Sequence, residues 1–190
     1  MKKFELTAEF VTNAFGRKLF RIKALVAFGN VEKGELGGFI EKEDNLSHDG
    51  DAWVFGDAWV SGDAQVFGDA RVFGNARVFG DAWVFGNAQV FGDARVSGDA
   101  RVSGDARVSG DADYAVVKGF GRYFRATTFF RCKDKIIRVQ CGCFYGDLAQ
   151  FREIVKKTHG DSKYAKEYLA IADLMELHFS DADAKQEVSE

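Results

Sequence analysis

Apolar and polar residues alternate with a fixed six-residue period through the middle of the chain. From Gly50 to Ser109 each period reads Gly, Asp or Asn, Ala, a variable residue, Val, and Phe or Ser, ten times without interruption. Ala and Val lie two positions apart, so they share one face of a short strand while the variable residue faces the other way. Gly followed by Asp or Asn is typical of a sharp turn. Since so short a strand buries little alone, the repeats predict a coil whose Ala and Val side chains fill one narrow core.

This pattern resembles the hexapeptide-repeat family, the left-handed parallel β-helix, in which a small residue follows an aliphatic one four positions later. Val54 with Ala58 and Val60 with Ala64 match that pattern as they stand. A short strand and a sharp turn repeated every six residues coil the chain into a triangular prism with three hexads per turn, so residues eighteen apart in sequence stack about 4.8 Å apart. The left hand of the coil is implied by the family and not by the spacing.

The segment before the hexads breaks the period. Residues 4–10 and 19–24 alternate apolar with polar side chains on either side of a turn, which predicts a β-hairpin cap over 1–28. The solenoid is then expected to occupy 29–112, with an irregular first coil ahead of the strict hexads at 50–109. A cap is expected because the open end of a β-helix exposes core and unpaired strand edges.

The segment after the hexads changes character again. β-Branched and aromatic runs, followed by two stretches with helical spacing of apolar residues, predict a small α+β domain over 113–179. Residues 180–190 are polar and are expected to be disordered. The expected fold is therefore mainly β: a left-handed parallel β-helix with an N-terminal β-hairpin cap and a C-terminal α+β domain.

The eighteen-residue stacking assigns the variable positions to columns on the outside of the prism. Trp stands over Arg in these columns, as at Trp59 and Arg77, and this suits cation–π contacts of about 0.5–1 kcal/mol. The Phe residues that follow Val form further columns. Soluble monomers seldom expose large apolar patches, so we expect the columns to be covered by the chain ends or a second copy, or to bind a partner. The predicted surface comprises Trp53, Phe55, Trp59, Phe67, Arg71, Phe73, Arg77, Phe79, Trp83, Phe85 and Phe91.

Composition and charge indicate which kinds of partner to expect and in which compartment the protein works. The net charge of −3 over 190 residues gives no field that would favour nucleic acid or a membrane. Three cysteines, an N-terminus without an apolar secretory run, and the lack of any membrane-length apolar stretch predict a cytoplasmic protein. The turn Asp and Asn residues are expected to form corner ladders as turn formers. Calcium binding is disfavoured there because oxygens on a convex corner do not converge.

The Cys141-Gly142-Cys143 motif, together with Cys132 and His159, is the one constellation that suggests chemistry. Zinc sites usually place more residues between paired cysteines. Cys141 and Cys143 on one strand face would instead be core residues, and this interpretation is favoured because free Cys is commonly buried. A four-ligand zinc site and a Cys–His nucleophile pair stay open as alternatives. No cofactor is expected.

Many hexapeptide-repeat proteins are acyltransferases that work as trimers through a His and inserted loops. Here the ten hexads contain no His and no insertion, and His48 lies just ahead of them. We therefore expect a non-catalytic protein-binding or scaffolding protein that forms a homo-oligomer. The alternatives are an acyltransferase-like trimer with His48 as base and a zinc-containing C-terminal binding module. The segments KGELGGFIEKEDNLS and RATTFFRCKDKIIRVQCGCFYGDL resemble bacterial prophage-type proteins, which implies a phage inhibitor of a host defence complex.

Overall fold

The expected N-terminal β-hairpin is present in the computed structural model, which describes residues 2–180. β1 (Phe4–Thr12) pairs antiparallel with β2 (Lys18–Ala24), with a bulge between Leu6 and Phe10. β3 (Leu36–Ile40) pairs antiparallel with β2 on one side and parallel with the Trp59–Val60 strand on the other. The hairpin therefore continues one face of the repeat region. A short 3-10 turn at Glu43–Asn45 then leads towards the hexads.

The hexads form a parallel β-solenoid of about four turns, as the six-residue period predicts. Each hexad contributes one two-residue strand, made of the variable residue and Val. These strands are β4 (Trp53–Val54), β5 (Trp59–Val60), β6 (Gln65–Val66), β7 (Arg71–Val72), β8 (Arg77–Val78), β9 (Trp83–Val84), β10 (Gln89–Val90), β11 (Arg95–Val96), β12 (Arg101–Val102) and β13 (Arg107–Val108).

Three parallel sheets form the faces of the solenoid. One contains β4, β7, β10 and β13; the second contains β6, β9 and β12; the third contains β3, β5, β8 and β11 and is extended by β1 and β2. Paired residues are eighteen apart within the hexads, as in Val54 with Val72 and Trp59 with Arg77. The expected three hexads per turn are therefore confirmed.

The core of the solenoid consists of the repeated Ala and Val side chains, all fully buried from Ala52 to Val108. The turn glycines adopt positive φ, for example +70° at Gly74, a region that L residues with a side chain rarely occupy. A Cβ at Gly74 would also lie 3.0 Å from the backbone nitrogen of Gly92 in the next turn. Glycine is thus required at the corner both by the backbone conformation and by the close stacking of coils.

The N-terminal segment also satisfies the backbone carbonyls at the start of the solenoid. Parallel stacking leaves the carbonyls of the first complete coil without donors from the hexads, and buried carbonyls need partners. The Asn45 side-chain amide donates to the Gly62 and Ala64 carbonyls, at 3.0 and 2.8 Å. The other donors are Lys3 Nζ to Gly50 and Ala52, and the backbone N–H groups of Phe39, Glu41 and Ser47 to Ala58, Val60 and Val66.

The chain divides into two compact units, Met1–Asp111 and Ala112–Glu190. The second contains a four-stranded antiparallel sheet and two helices, so the expected mainly β fold with a C-terminal α+β region is confirmed. Its elements, which follow a short 3-10 turn at Asp111–Asp113, are β14 (Tyr114–Val117), β15 (Thr127–Arg131), β16 (Ile137–Cys141), β17 (Phe144–Asp147), α1 (Leu148–His159) and α2 (Lys163–Ser180). Of the tail expected to be disordered, Ser180 ends α2 and 181–190 lie outside the described residues.

The core of the second unit lies between the sheet and the helices. Phe129 and Val139 from the sheet pack with Phe151 of α1 and Met175 of α2. Asp147 caps α1 by accepting from the Gln150 backbone N–H at 2.8 Å. None of the helices in the described residues is long and apolar enough to cross a bilayer.

Candidate binding surface

The alternation within each strand and the eighteen-residue register bring Trp and Arg into contact on two faces of the solenoid. The Arg77 guanidinium carbon lies 4.5 Å from the centre of the Trp59 ring, and that of Arg101 lies 4.2 Å from the Trp83 ring. Both distances are within the range of cation–π attraction. The contacts expected from the spacing are therefore present.

Trp53 does not lie on the surface, so its assignment to the exposed columns is wrong. Its side chain is fully buried. The Phe4 and Phe28 rings pack edge-on against it, with centroids 6.2 and 5.3 Å away. A Cβ at Gly37 would overlap the indole, so the N-terminal segment fits closely over this ring. Alternation predicts that Trp53 points out of the prism, but it does not show that another segment covers it.

Two pairs of Phe rings stack along the corners of the solenoid. Phe67 lies parallel to Phe85, and Phe73 parallel to Phe91, with ring centroids 5.0 Å apart in both pairs. Phe67 also meets the Trp83 ring edge-on at 5.8 Å. Of the predicted surface residues, Arg77 and Phe79 are exposed, and Phe55, Trp59, Phe67, Arg71, Phe73, Trp83, Phe85 and Phe91 are partly exposed.

The residues Phe67, Trp83, Phe85 and Arg101 form one continuous surface, called here the aromatic cluster. A groove of about 900 Å³ lies beside it, lined also by Lys42, Glu43, His48 and Asp63. A hydrogen bond from Lys42 lowers the pKa of the Asp63 carboxyl, and one from His48 lowers that of Glu43. The groove therefore places the Phe67 and Trp83 rings beside side chains of both charges, a combination common at protein interfaces.

His48 is held by the N-terminal segment through both of its ring nitrogens. The backbone N–H of Lys3 donates to Nδ1 at 3.1 Å, so Nε2 carries the proton, and Nε2 lies 2.7 Å from the Glu43 carboxylate. The imidazole also stacks on Phe4, with centroids 4.3 Å apart. This geometry leaves neither nitrogen directed at a substrate, as a general base must be. His48 fixes the entry to the solenoid.

A second groove, of about 610 Å³, lies along the face that contains Trp59 and Arg77. The Arg21 guanidinium stacks on the Phe39 ring at 4.3 Å and donates to Glu9 at 2.8 Å. Because Arg21 pairs with Phe39 and Phe39 with Trp59, these residues extend the Trp59 column beyond the hexads. Sequence reasoning missed them. The alternation of β2 places Arg21 on one face, but it does not show which strand pairs with β2.

The corner carboxylates and amides bond to each other along the solenoid. Asn75 Nδ2 donates to Asp93 at 3.1 Å, and Asn87 Nδ2 donates to Asp105 at 3.4 Å. Within residues 2–180 no three His, Cys, Asp or Glu side chains converge so as to hold a metal ion. The Asn–Asp hydrogen bonds connect the corners of successive coils.

The three cysteines are separated by the fold. Cys132 is buried, Cys141 is partly buried and accepts from Thr127 Oγ1 at 3.2 Å, and Cys143 is exposed. Cys141 and Cys143 do not share a strand face, contrary to expectation, because β16 ends at Cys141 and Gly142 turns the chain at φ +59°. His159 packs against Tyr168, with ring centroids 5.8 Å apart. The described side chains thus do not assemble the four-ligand zinc set considered from the sequence.

Comparison with known families identifies the repeat. A family model described as the YdcK beta solenoid repeat matches residues 64–78, 70–86, 88–102 and 100–112. The matches lie within the hexads and their immediate continuation, where the parallel strands stack. The chain is therefore a β-helix repeat protein, and its repeats are similar to those of the YdcK solenoid. No curated protein matches the chain.

Proposed function

We propose that this chain is a non-catalytic protein-binding or scaffolding protein that captures a protein partner on the aromatic cluster. The observation that carries the proposal is that Phe67, Trp83 and Phe85 stay partly exposed beside a groove of about 900 Å³, whereas the N-terminal segment fully covers Trp53. Trp and Arg are enriched at the energetic centres of protein interfaces. Stacked aromatic rings left open on a folded face indicate a docking site.

The rigidity of the solenoid supports this role. Every strand of the face is tied to the next by backbone hydrogen bonds, as from Phe67 N–H to the Val84 carbonyl at 3.1 Å. The near-parallel stacking of Phe67 on Phe85, at 3°, fixes both rings before a partner arrives. A surface ordered in advance loses little conformational entropy on binding, so more of the contact energy appears as affinity.

The partner class expected from the sequence is a protein, including a second copy of this chain. A narrower form of the proposal is a phage-encoded inhibitor that docks on a host defence complex in the cytoplasm. That form rests on the resemblance of the end segments alone, and no residue of the aromatic cluster argues for it.

A matched pair of variants tests the surface. Trp83→Ala with Phe85→Ala removes two rings from the aromatic cluster, whereas Phe79→Ala removes an exposed ring from another corner column. We expect the double variant, but not Phe79→Ala, to lose a protein captured from bacterial lysate by the wild type, or to lose self-association in light scattering. Truncating a central aromatic typically weakens binding by at least about tenfold. Capture and self-association unaffected by the double variant would refute the proposal.

The acyltransferase-like alternative is less well supported because both nitrogens of its candidate base, His48, are already engaged. Isothermal titration calorimetry with coenzyme A separates the two functions. We expect no saturable heat. Saturable binding that is lost in a His48→Ala variant of unchanged fold would favour the enzyme.

A further inference from the structure

The loop between β14 and β15, residues 118–126, presents three aromatic rings to solvent. Phe120, Tyr123 and Phe124 are 44%, 61% and 64% exposed. The loop reads KGFGRYFRA, so it also contributes Lys118, Arg122 and Arg125 and contains no acidic residue. Exposed rings interleaved with cations are uncommon on a surface that only contacts water.

The loop is held in a defined conformation and is not a loose connection. Gly121 N–H donates to the Glu167 carboxylate at 2.8 Å, and a Cβ at Gly121 would overlap the Tyr168 hydroxyl, so the loop rests directly on α2. Phe124 adopts φ +52°, a conformation that costs a residue with a side chain of order 1–3 kcal/mol. At this position the Phe124 ring lies at the surface and not in the core.

Lysines of the helical hairpin join the loop at the same end of the unit. Lys163 pairs with Glu167 at 3.4 Å, and the Glu167 carboxylate also accepts from the Gly121 N–H of the loop. His159 at the end of α1 lies 5.8 Å from Tyr168, which brings Lys156 and Lys157 to the same end. Lys156, Lys157 and Lys166 make no ion pair with any residue from 2 to 180.

Positive charge is concentrated in residues 112–180. Residues 112–180 contain twelve Lys and Arg against eight Asp and Glu, residues 1–111 contain thirteen against seventeen, and residues 181–190 contain one against four. The charges of residues 1–111 and 112–180 cancel, so the whole-chain charge of −3, which argued against nucleic acid at the outset, equals that of residues 181–190 and hides this difference. The excess of cations over residues 112–180, which includes a loop without acidic residues, favours an anionic partner for this surface.

We propose that the second unit binds single-stranded nucleic acid on one surface. This surface, called here the aromatic–basic surface, consists of Phe120, Arg122, Tyr123, Phe124 and Arg125 with Lys156, Lys157, Lys163 and Lys166. Unpaired bases expose flat faces that stack on aromatic side chains, while Arg and Lys follow the phosphates. A duplex hides its base faces, and an acidic peptide offers charge without flat rings to stack. This activity is separate from the docking site on the solenoid and involves none of its residues.

Fluorescence anisotropy with labelled oligothymidine and oligouridine of about 15 nucleotides, a length that spans a typical single-strand site, tests the proposal. We expect the full chain to bind at about 50 mM salt and more weakly at about 200 mM. Tyr123→Ala with Phe124→Ala should weaken binding at least about tenfold, since each stacked base contributes substantially. Arg122→Gln should reduce the slope of log K against log salt by about 0.7. Phe79→Ala on the solenoid is the matched aromatic control, and thermal melts check that all variants fold.

Preference for either DNA or RNA supports the proposal and identifies the natural strand type. Three results would overturn it: no binding of either oligonucleotide at low salt, equal binding of a duplex of the same length, or unchanged affinity in the aromatic double variant. Binding to phosphatidylserine vesicles without oligonucleotide binding would also overturn it and point to a membrane surface.

Discussion

Asn45 is expected to be the side chain whose loss most clearly uncouples the N-terminal segment from the solenoid. It is fully buried and makes three hydrogen bonds: Nδ2 donates to the Gly62 and Ala64 carbonyls, and Oδ1 accepts from the Lys42 N–H at 2.9 Å. Asn45→Ala removes both donors and the acceptor at once. The carbonyls of the first coil then face the end of the prism with nothing to replace them.

The expected loss of stability depends on which hydrogen-bond partners of Asn45 water can reach. The bond to the Ala64 carbonyl is buried, whereas those to Gly62 and Lys42 are partly open. An unpaired buried carbonyl costs about 1–3 kcal/mol, and a lost bond between groups that water can solvate costs about 0.5–1 kcal/mol. We therefore expect Asn45→Ala to lower the free energy of unfolding by about 3 kcal/mol.

Asn75 offers a control with the same chemistry in another setting. It is an exposed corner residue whose side chain makes one bond, to Asp93. Asn75→Ala should cost under about 1 kcal/mol. The assay is urea unfolding followed by circular dichroism, read as a shift of midpoint at unchanged m-value. Equal losses in the two variants would refute the view that the N-terminal segment caps the carbonyls of the first coil.

Three further outcomes are expected. Gly74→Ala should destabilise more than Gly98→Ala in urea unfolding, because φ is positive at both but the Cβ meets the next coil only at Gly74; equal losses would contradict this. Burial lowers the pKa of Lys3 from 10.5 to about 8, so the cost of its buried ammonium disappears as the pH rises between those values. Across that pH range, the melting temperature of the wild type should therefore rise relative to that of Lys3→Met. Melting temperatures that change in parallel with pH in the two proteins would contradict the prediction. Cys143 should react with Ellman's reagent in the native state and Cys132 only after unfolding; fast native-state labelling of Cys132, located by peptide mass mapping, would contradict this.

The candidate surface was readable from the sequence only in part. The hexad period fixes which residues leave the core and which stack eighteen apart, so the Trp59–Arg77 and Trp83–Arg101 contacts follow from it. Burial of Trp53 does not follow, because it depends on rings from β1 and from the segment after β2. Those segments contain no repeat, so their sequence does not show where they pack.

The structure of the second unit could also be predicted from the sequence only in part. Its strands and helices follow from local periodicity, but the separation of Cys141 from Cys143 depends on a single turn at Gly142. The exposure of Phe120, Tyr123 and Phe124 was also not predicted, since an aromatic run beside strand patterns is more typical of a core. Contact between Gly121 and α2 holds these rings outside that core.

The sequence by itself determined the solenoid, its three faces, its glycine corners and the stacking of its columns. It could do so because each hexad repeats the same local rule, and translation along the prism turns that rule into the tertiary contacts. Only the tertiary structure decided which column is covered, how the first carbonyls find donors, and where the aromatic–basic surface lies. Those features arise where non-repeating segments meet residues far away in sequence, and no local period encodes such meetings.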